Sequence, residues 1–277
     1  MKTTWILGIL LTCSTLFFVG ACEETSEPLT QTEAQEGLDE TMLSSVEASL
    51  EADMVEISTQ FTMGAALDKA VQQLKMFVSS QIPCSVVTET QNTITIDFGT
   101  LEDNCTYLGK TYAGIITITV VKTSLDSTTV TQDWDGLTNG KTTANGTVTV
   151  VWDKTNKTRN VVHELVWTRN GKDVFSEGNR TQSLLDETLG AQGGIRIDGF
   201  RTKTAGQAMW MLDIDGVEMR PQDPVPQAGV YTLTRPNGKT ITYEFVRIDE
   251  DTIEVTVTGA KKSFVFHVTS SGQVDEV

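Results

Sequence analysis

Few side chains in this sequence are of types that do chemistry, and their spacing limits what they can do. There are four cysteines, Cys13, Cys22, Cys84 and Cys105, and two histidines, His163 and His267. An acid–base pair needs two groups converging on one point. The adjacent pair His163-Glu164 does not offer this, because His163 alternates with Val161, Leu165 and Trp167 in a strand-like run, where neighbours point to opposite faces. His163 is expected to be packed or hydrogen-bonded in the interior, and His267 to be exposed. The stretch DWDGLTNG at 133–140 gathers two carboxylates and an asparagine round a glycine, the oxygen-rich composition that holds calcium. It lacks the EF-hand spacing and its closing glutamate, and hairpin turns account for its Asp-Gly and Asn-Gly pairs. DIDG at 213–216 and DED at 249–251 have the same explanation. No Gly-rich phosphate loop, GxSxG or CxxC occurs. The reading therefore assigns no catalytic, cofactor-binding or metal-binding residue and expects no cofactor.

The cysteines are more informative. Residues 1–21 place one early charge, Lys2, before an apolar run (Trp5 to Leu11, Leu16 to Val19) and then the small residues Gly20 and Ala21. That is the order of a secretory signal peptide. Thr12, Ser14 and Thr15 interrupt the run, which argues against a membrane span of about 20 apolar residues. Val19-Gly20-Ala21-Cys22 resembles the lipobox of bacterial lipoproteins, in which the cysteine thiol takes a diacylglycerol and cleavage follows just before it. The resemblance covers the first two dozen residues and departs from the commonest form at Val19 and Gly20. It implies lipidation of Cys22, a cell-envelope location and, with Glu23 rather than Asp after the cysteine, the outer membrane, facing the periplasm or the surface. Cleavage discards Cys13 and acylation uses Cys22, which leaves Cys84 and Cys105 as an even pair in an oxidising compartment. A disulfide between them would restrain the unfolded chain by about 3 kcal/mol.

From Cys22 to about residue 38 the chain is rich in Glu, Thr, Ser and Gln and poor in apolar residues, the composition of a disordered acidic tether. The whole chain carries a formal net charge of -16. Such acidity argues against nucleic acid and anionic headgroups as partners. The membrane, through the anchor, and an envelope protein are the partners expected.

Over 39–82 the apolar residues Leu43, Val46, Leu50, Met54, Ile57, Phe61, Leu67, Val71, Leu74 and Phe77 recur at threes and fours. This is a helical stripe, with Gly64 as a break and Pro83 as a stop. Beyond Pro83 the period becomes two: Ile94-Ile96-Phe98, Ile116-Ile118-Val120, Val148-Val150-Trp152, Ile241-Tyr243-Phe245 and Ile253-Val255-Val257 each read as a strand with one buried face. Asp135-Gly136, Asn139-Gly140, Asn145-Gly146, Asn170-Gly171, Asp215-Gly216 and Asn237-Gly238 read as hairpin turns. Stretches 184–194 and 220–229, the second carrying three prolines, interrupt the rhythm without requiring a second β domain. The run from ITIDFG through Cys105, Tyr107, Gly109, Lys110 and Gly114 is also similar to a group of bacterial envelope lipoproteins with repeated β-hairpins, over about 84–182, and that likeness implies fold rather than activity.

The fold expected is mainly β: an N-terminal amphipathic helix followed by an antiparallel meander of about ten strands, as a curled sheet, half-barrel or barrel. Its segments are a signal peptide at 1–21, the tether at 22–38, helix at 39–82 and the β domain at 83–277. The function expected is a non-enzymatic structural or binding role at the envelope. Two alternatives stand beside it: a carrier holding a lipid or other apolar ligand in a half-barrel cavity, with Trp134, Trp152, Trp167 and Trp210 available to line it, and a hydrolase built on surface carboxylates.

Overall fold

Thr30 starts the first helix with a reciprocal cap. Its hydroxyl accepts the Glu33 backbone N–H at 3.1 Å, while the Glu33 carboxylate accepts the Thr30 backbone N–H at 3.0 Å. The computed structural model describes residues 27–59, 67–107, 109–122, 124, 126–189, 193–220, 223–269 and 274–275. Helix α1 spans Gln31–Thr59 and α2 spans Leu67–Gln81. Gly64 lies between them, outside the described residues, and α2 stops just before Pro83.

The expected tether is shorter than its composition suggests. Leu29, Ala34 and Leu38 are buried and belong to an apolar cluster, so the helix and its packing begin well before residue 39. The cap at Thr30 and three apolar residues at helical spacing offset the entropy that the polar composition of this stretch would leave uncompensated. Residues 22–26 of the proposed tether lie outside the described residues, as do 1–21.

Among the described residues fifteen strands follow α2. Those nearest the helices are β1 (Val86–Glu89), β2 (Thr93–Asp97), β3 (Cys105–Tyr107), β4 (Lys110–Lys122) and β5 (Ser127–Thr138). The middle is β6 (Thr143–Asp153), β7 (Thr158–Arg169), β8 (Lys172–Leu184), β9 (Ile195–Ala205) and β10 (Ala208–Arg220). The last are β11 (Asp223–Thr234), β12 (Thr240–Arg247), β13 (Thr252–Gly259), β14 (Lys262–Thr269) and β15 (Val274–Asp275). All pairings are antiparallel and fourteen strands follow one another in chain order, with β3 as a short flap on β4. The sheet is not closed into a barrel: β1 and β15 are its two edges. Short connections enforce this meander. The expectation of about ten strands falls short in part because β8 lacks apolar alternation: its buried positions are Ser176, Gly178, Arg180 and Gln182.

One sheet carries two apolar cores. The first joins Leu50, Met54, Val55 and Ile57 of α1 and Leu74, Val78 and Ile82 to the inner faces of β2 and β4–β7. The second joins Leu29, Ala34 and Leu38 to β9–β14. Helix α1 thus runs against chain order, its first turns on the late strands and its last on the early ones. At about 1.5 Å per residue it is about 43 Å long, comparable to nine interstrand steps of about 4.8 Å from β4 to β13. It crosses the strands rather than lying along them. Near its end, Leu50, Glu51, Asp53, Met54, Val55 and Ile57 are all buried, which at 100° per residue covers roughly 200° of its circumference. That exceeds the single stripe read from the sequence.

Three of the six expected turns, Asn139-Gly140, Asn170-Gly171 and Asn237-Gly238, do join consecutive strands. The other three pairs lie inside β5, β6 and β10. Gly136 and Gly216 are bulges, with φ of 60° and 59° and register shifts on both neighbouring ladders. The two are related across the sheet. The Gly136 N–H donates to Asn145 Oδ1 on β6 and the Gly216 N–H to Asp198 Oδ1 on β9, each at 2.7 Å. The same dipeptide serves turn and bulge because both need a positive φ. The proline stretch is no boundary: Pro224 and Pro226 lie in the bulged start of β11, before its pairing with β12 begins at Ala228.

Candidate functional site

The interior between the two cores is polar. The buried polar side chains are Ser176, Arg180 and Gln182 on β8, Arg159 and His163 on β7, and Arg201 on β9. Strand alternation brings them to the inner face, where an unpaired polar or charged group is costly. Helix α1 supplies the counter-charge. Glu51, 2 % exposed, forms an ion pair with Arg180 and lies 3.5 Å from Arg201 Nη2. One turn earlier, Glu47 pairs with Lys203 on β9 at 2.5 Å. Burial pushes the Glu51 carboxyl up, but Arg180, then His163 and Arg201, outweigh it and hold the group well below the usual carboxylate range.

His163 completes this cluster and brings together the three residue types of a nucleophile triad. Its Nε2 is 3.0 Å from Ser176 Oγ, and its Nδ1 is 3.4 Å from Glu51 Oε1 and 3.0 Å from Arg180 Nη2. The partners of Nδ1 make opposite demands: the Arg180 guanidinium only donates and the Glu51 carboxylate only accepts. A serine nucleophile requires Nε2 to accept from the hydroxyl and Nδ1–H to donate to the carboxylate. Ser176 is fully buried. Burial lowers the His163 pKa, against the pull of Glu51. The arrangement joins helix α1 to strands β7, β8 and β9.

A second polar anchor lies two residues further along the helix. Asp53 accepts from Lys110 Nζ at 2.7 Å and from the Tyr112 hydroxyl at 2.8 Å, both on β4. Burial first, and then the Asp53 charge, push the tyrosine far above its ordinary range. Acidic residues of α1 thus meet basic residues of β4, β8 and β9, and this fixes the helix position along the sheet. At the first turn Glu33 joins the series: Lys239 donates to it at 2.7 Å and Thr30 caps it, and together they lower its pKa to about 2.

Other sequence-derived candidates are placed as follows. Cys22 lies outside the described residues. Cys84 and Cys105 form a disulfide with a Cα separation of 5.3 Å, tying the end of α2 to β3. Glu164 is not on the His163 face; the acid that reaches the imidazole is Glu51, from the helix. His267 is half-buried, 3.6 Å from Glu254 on the neighbouring strand. Asp133 and Asp135 are exposed on the outer face of β5, where Asp133 accepts from the Thr147 hydroxyl at 3.0 Å. No group of three or more metal-ligating side chains occurs among the described residues. Trp134 and Trp167 meet edge to face at 6.3 Å inside the first core, and Trp134 Nε1 donates to Gln132 at 3.0 Å. A cleft of about 230 Å³, lined by Glu27, Leu29, Glu33, Lys239, Ile241 and Ala260, marks where the chain enters the domain.

No sequence motif announces the buried cluster. Its one signal is compositional: the inward positions of β8 read Ser176, Gly178, Arg180 and Gln182, too polar to face an apolar partner. No helix among the described residues is long and apolar enough to cross a membrane. Compared with protein-family models, curated proteins and solved structures, the chain matches none.

Proposed function

We propose that the protein is a lipid-anchored component of the bacterial cell envelope that acts by binding or by structure and not by catalysis. Its sheet domain is held to the membrane through Cys22. The observation that carries this reading is the use made of the buried polar residues: Glu51, Arg180, Arg201, His163 and Ser176 are spent on one another, and this serine–histidine–carboxylate grouping is sealed from solvent beneath the helix. The packing beneath α1 bears on the carrier alternative. Leu50, Met54 and Ile57 contact the sheet with less than 2 % exposure, filling the space in which an apolar ligand would lie.

Fractionation of cells expressing the full chain tests the anchored role. The wild-type protein is expected in the membrane pellet after a high-salt wash, with the Cys22→Ala variant released from it. Equal retention of both proteins would contradict the anchor. Chemical cross-linking in intact envelopes, followed by affinity capture through a C-terminal tag, should return discrete protein adducts; turnover of ester or glycoside substrates by the purified chain would overturn the non-catalytic assignment.

A further inference from the structure

In an antiparallel meander alternate connections fall at the same end of the sheet, and here the two ends differ in charge. From β5 onward one end carries, with their flanking strand residues, TNGKTT at 138–143, RNGK at 169–172, AGQA at 205–208, TRPNGKT at 234–240 and GAKK at 259–262. These five connections hold seven lysines and arginines and no carboxylate; the β2–β4 connection at the same end, counted with its flanks at 97–110, adds Asp97, Glu102, Asp103 and Lys110. Counted the same way from β5 onward, the five connections at the opposite end hold seven Asp and Glu against four Lys and Arg. A chain of net charge -16 has therefore gathered cations at one edge, and Lys141, Arg169, Lys172, Lys261 and Lys262 there are exposed.

The chain enters the domain at that same edge. The Leu29 N–H donates to the Ala260 carbonyl in the β13–β14 turn at 3.2 Å, and Glu33 is held by Lys239 beside the β11–β12 turn. Seven residues separate Cys22 from Leu29, so an acyl group on Cys22 lies no more than about 25 Å from the basic turns.

We infer that the end of the sheet bearing Lys141, Lys172, Lys261 and Lys262 lies against the anionic headgroups of the membrane that carries the Cys22 anchor, which directs the acidic end away from the bilayer. This rests on the anchored reading above. The whole-chain charge argues against anionic surfaces, but attraction to a headgroup layer falls off within a Debye length of about 8–10 Å, so the turns nearest the membrane dominate. Each basic residue close to an anionic surface strengthens binding by about fivefold.

The test uses the mature lipidated protein in vesicles of phosphatidylcholine alone or with 30 % phosphatidylglycerol. Lysines are modified with a membrane-impermeant amine reagent and read by mass spectrometry. Lys141, Lys172, Lys261 and Lys262 are expected to be protected at least threefold on the anionic vesicles relative to the neutral ones, with Lys154 and Lys157 at the far end unchanged. The variant with all four lysines changed to glutamine should remain vesicle-bound but lose the protection that Lys239 shows in the wild type. Equal labelling on both vesicle types would overturn the inference while leaving the anchor intact. If Cys22 bears no lipid, the anchored reading fails; salt-sensitive binding of that protein to anionic vesicles, lost in the glutamine variant, would then sustain the charged surface alone. Protection by an added acidic protein but not by anionic vesicles would overturn the membrane assignment.

Discussion

Glu51 and Arg180 are 129 residues apart in the chain, both are almost fully buried, and they form an ion pair between the two apolar cores of one sheet. The pair joins the helix that crosses the sheet to the strands at its middle, where apolar packing is interrupted. A buried pair adds little net stability over well-packed apolar residues, but removing one partner strands the other.

Glu51→Ala is therefore expected to destabilise the domain by about 3–5 kcal/mol, with Arg180→Ala similar. The double variant should cost less than the sum of the two, since neither charge is left alone. Urea denaturation of the four proteins supplies the cycle; strict additivity would refute the coupling.

His163 gives stability a pH dependence of defined sign. Its folded-state pKa is depressed by burial, so the unfolded chain binds the proton more readily. Stability should hold above the unfolded value of about 6.5 and fall as pH drops below it, by up to about 1.4 kcal/mol per pH unit. His163→Asn should flatten this slope between pH 7 and 5. Glu33, depressed to about 2, adds its own loss of stability only as pH falls below about 4.5, so the two windows separate.

Gly114 and Gly171 both have positive φ, 94° and 70°, yet they should respond differently to alanine. A Cβ on Gly171 meets nothing within 4 Å, whereas one on Gly114 strikes the Gly136 carbonyl of the adjacent bulge. Gly171→Ala is expected to cost about 1–2 kcal/mol from backbone strain alone, and Gly114→Ala roughly 2–4 kcal/mol, because packed strands must also move. Thermal melts of the two variants should rank them in that order.

The Cys84–Cys105 bond closes a loop with a sequence separation of 21. Cys105→Ala should cost about 3 kcal/mol. A thiol assay on the denatured, unreduced mature chain should find neither cysteine free.

Much of this fold is legible residue by residue. Period-two runs such as Ile94-Ile96-Phe98 and Val148-Val150-Trp152 mark strands because one face of each is buried, and Asn139-Gly140 and Asn170-Gly171 mark hairpins because tight turns need positive φ. Asp135-Gly136 and Asp215-Gly216 misdirect for the same reason, since a bulge makes the identical demand. The polar cluster is barely legible, its one signal being the polar inward positions of β8. Glu51 meets Arg180, Arg201 and His163 only once a helix has crossed a sheet at one particular position, and local sequence does not encode that crossing. The early start of α1 was hidden by composition: Leu29, Ala34 and Leu38 are too few to stand out among polar neighbours, yet they are enough to hold the first turns.

The central claim is the anchor at Cys22, on which both the compartment and the orientation of the domain rest. Mass spectrometry of the N-terminal peptide from the membrane-extracted protein tests it most directly. The result expected is a chain that begins at Cys22 and carries a thioether-linked diacylglycerol; an unmodified Cys22, or a chain that begins at any other residue, would contradict it.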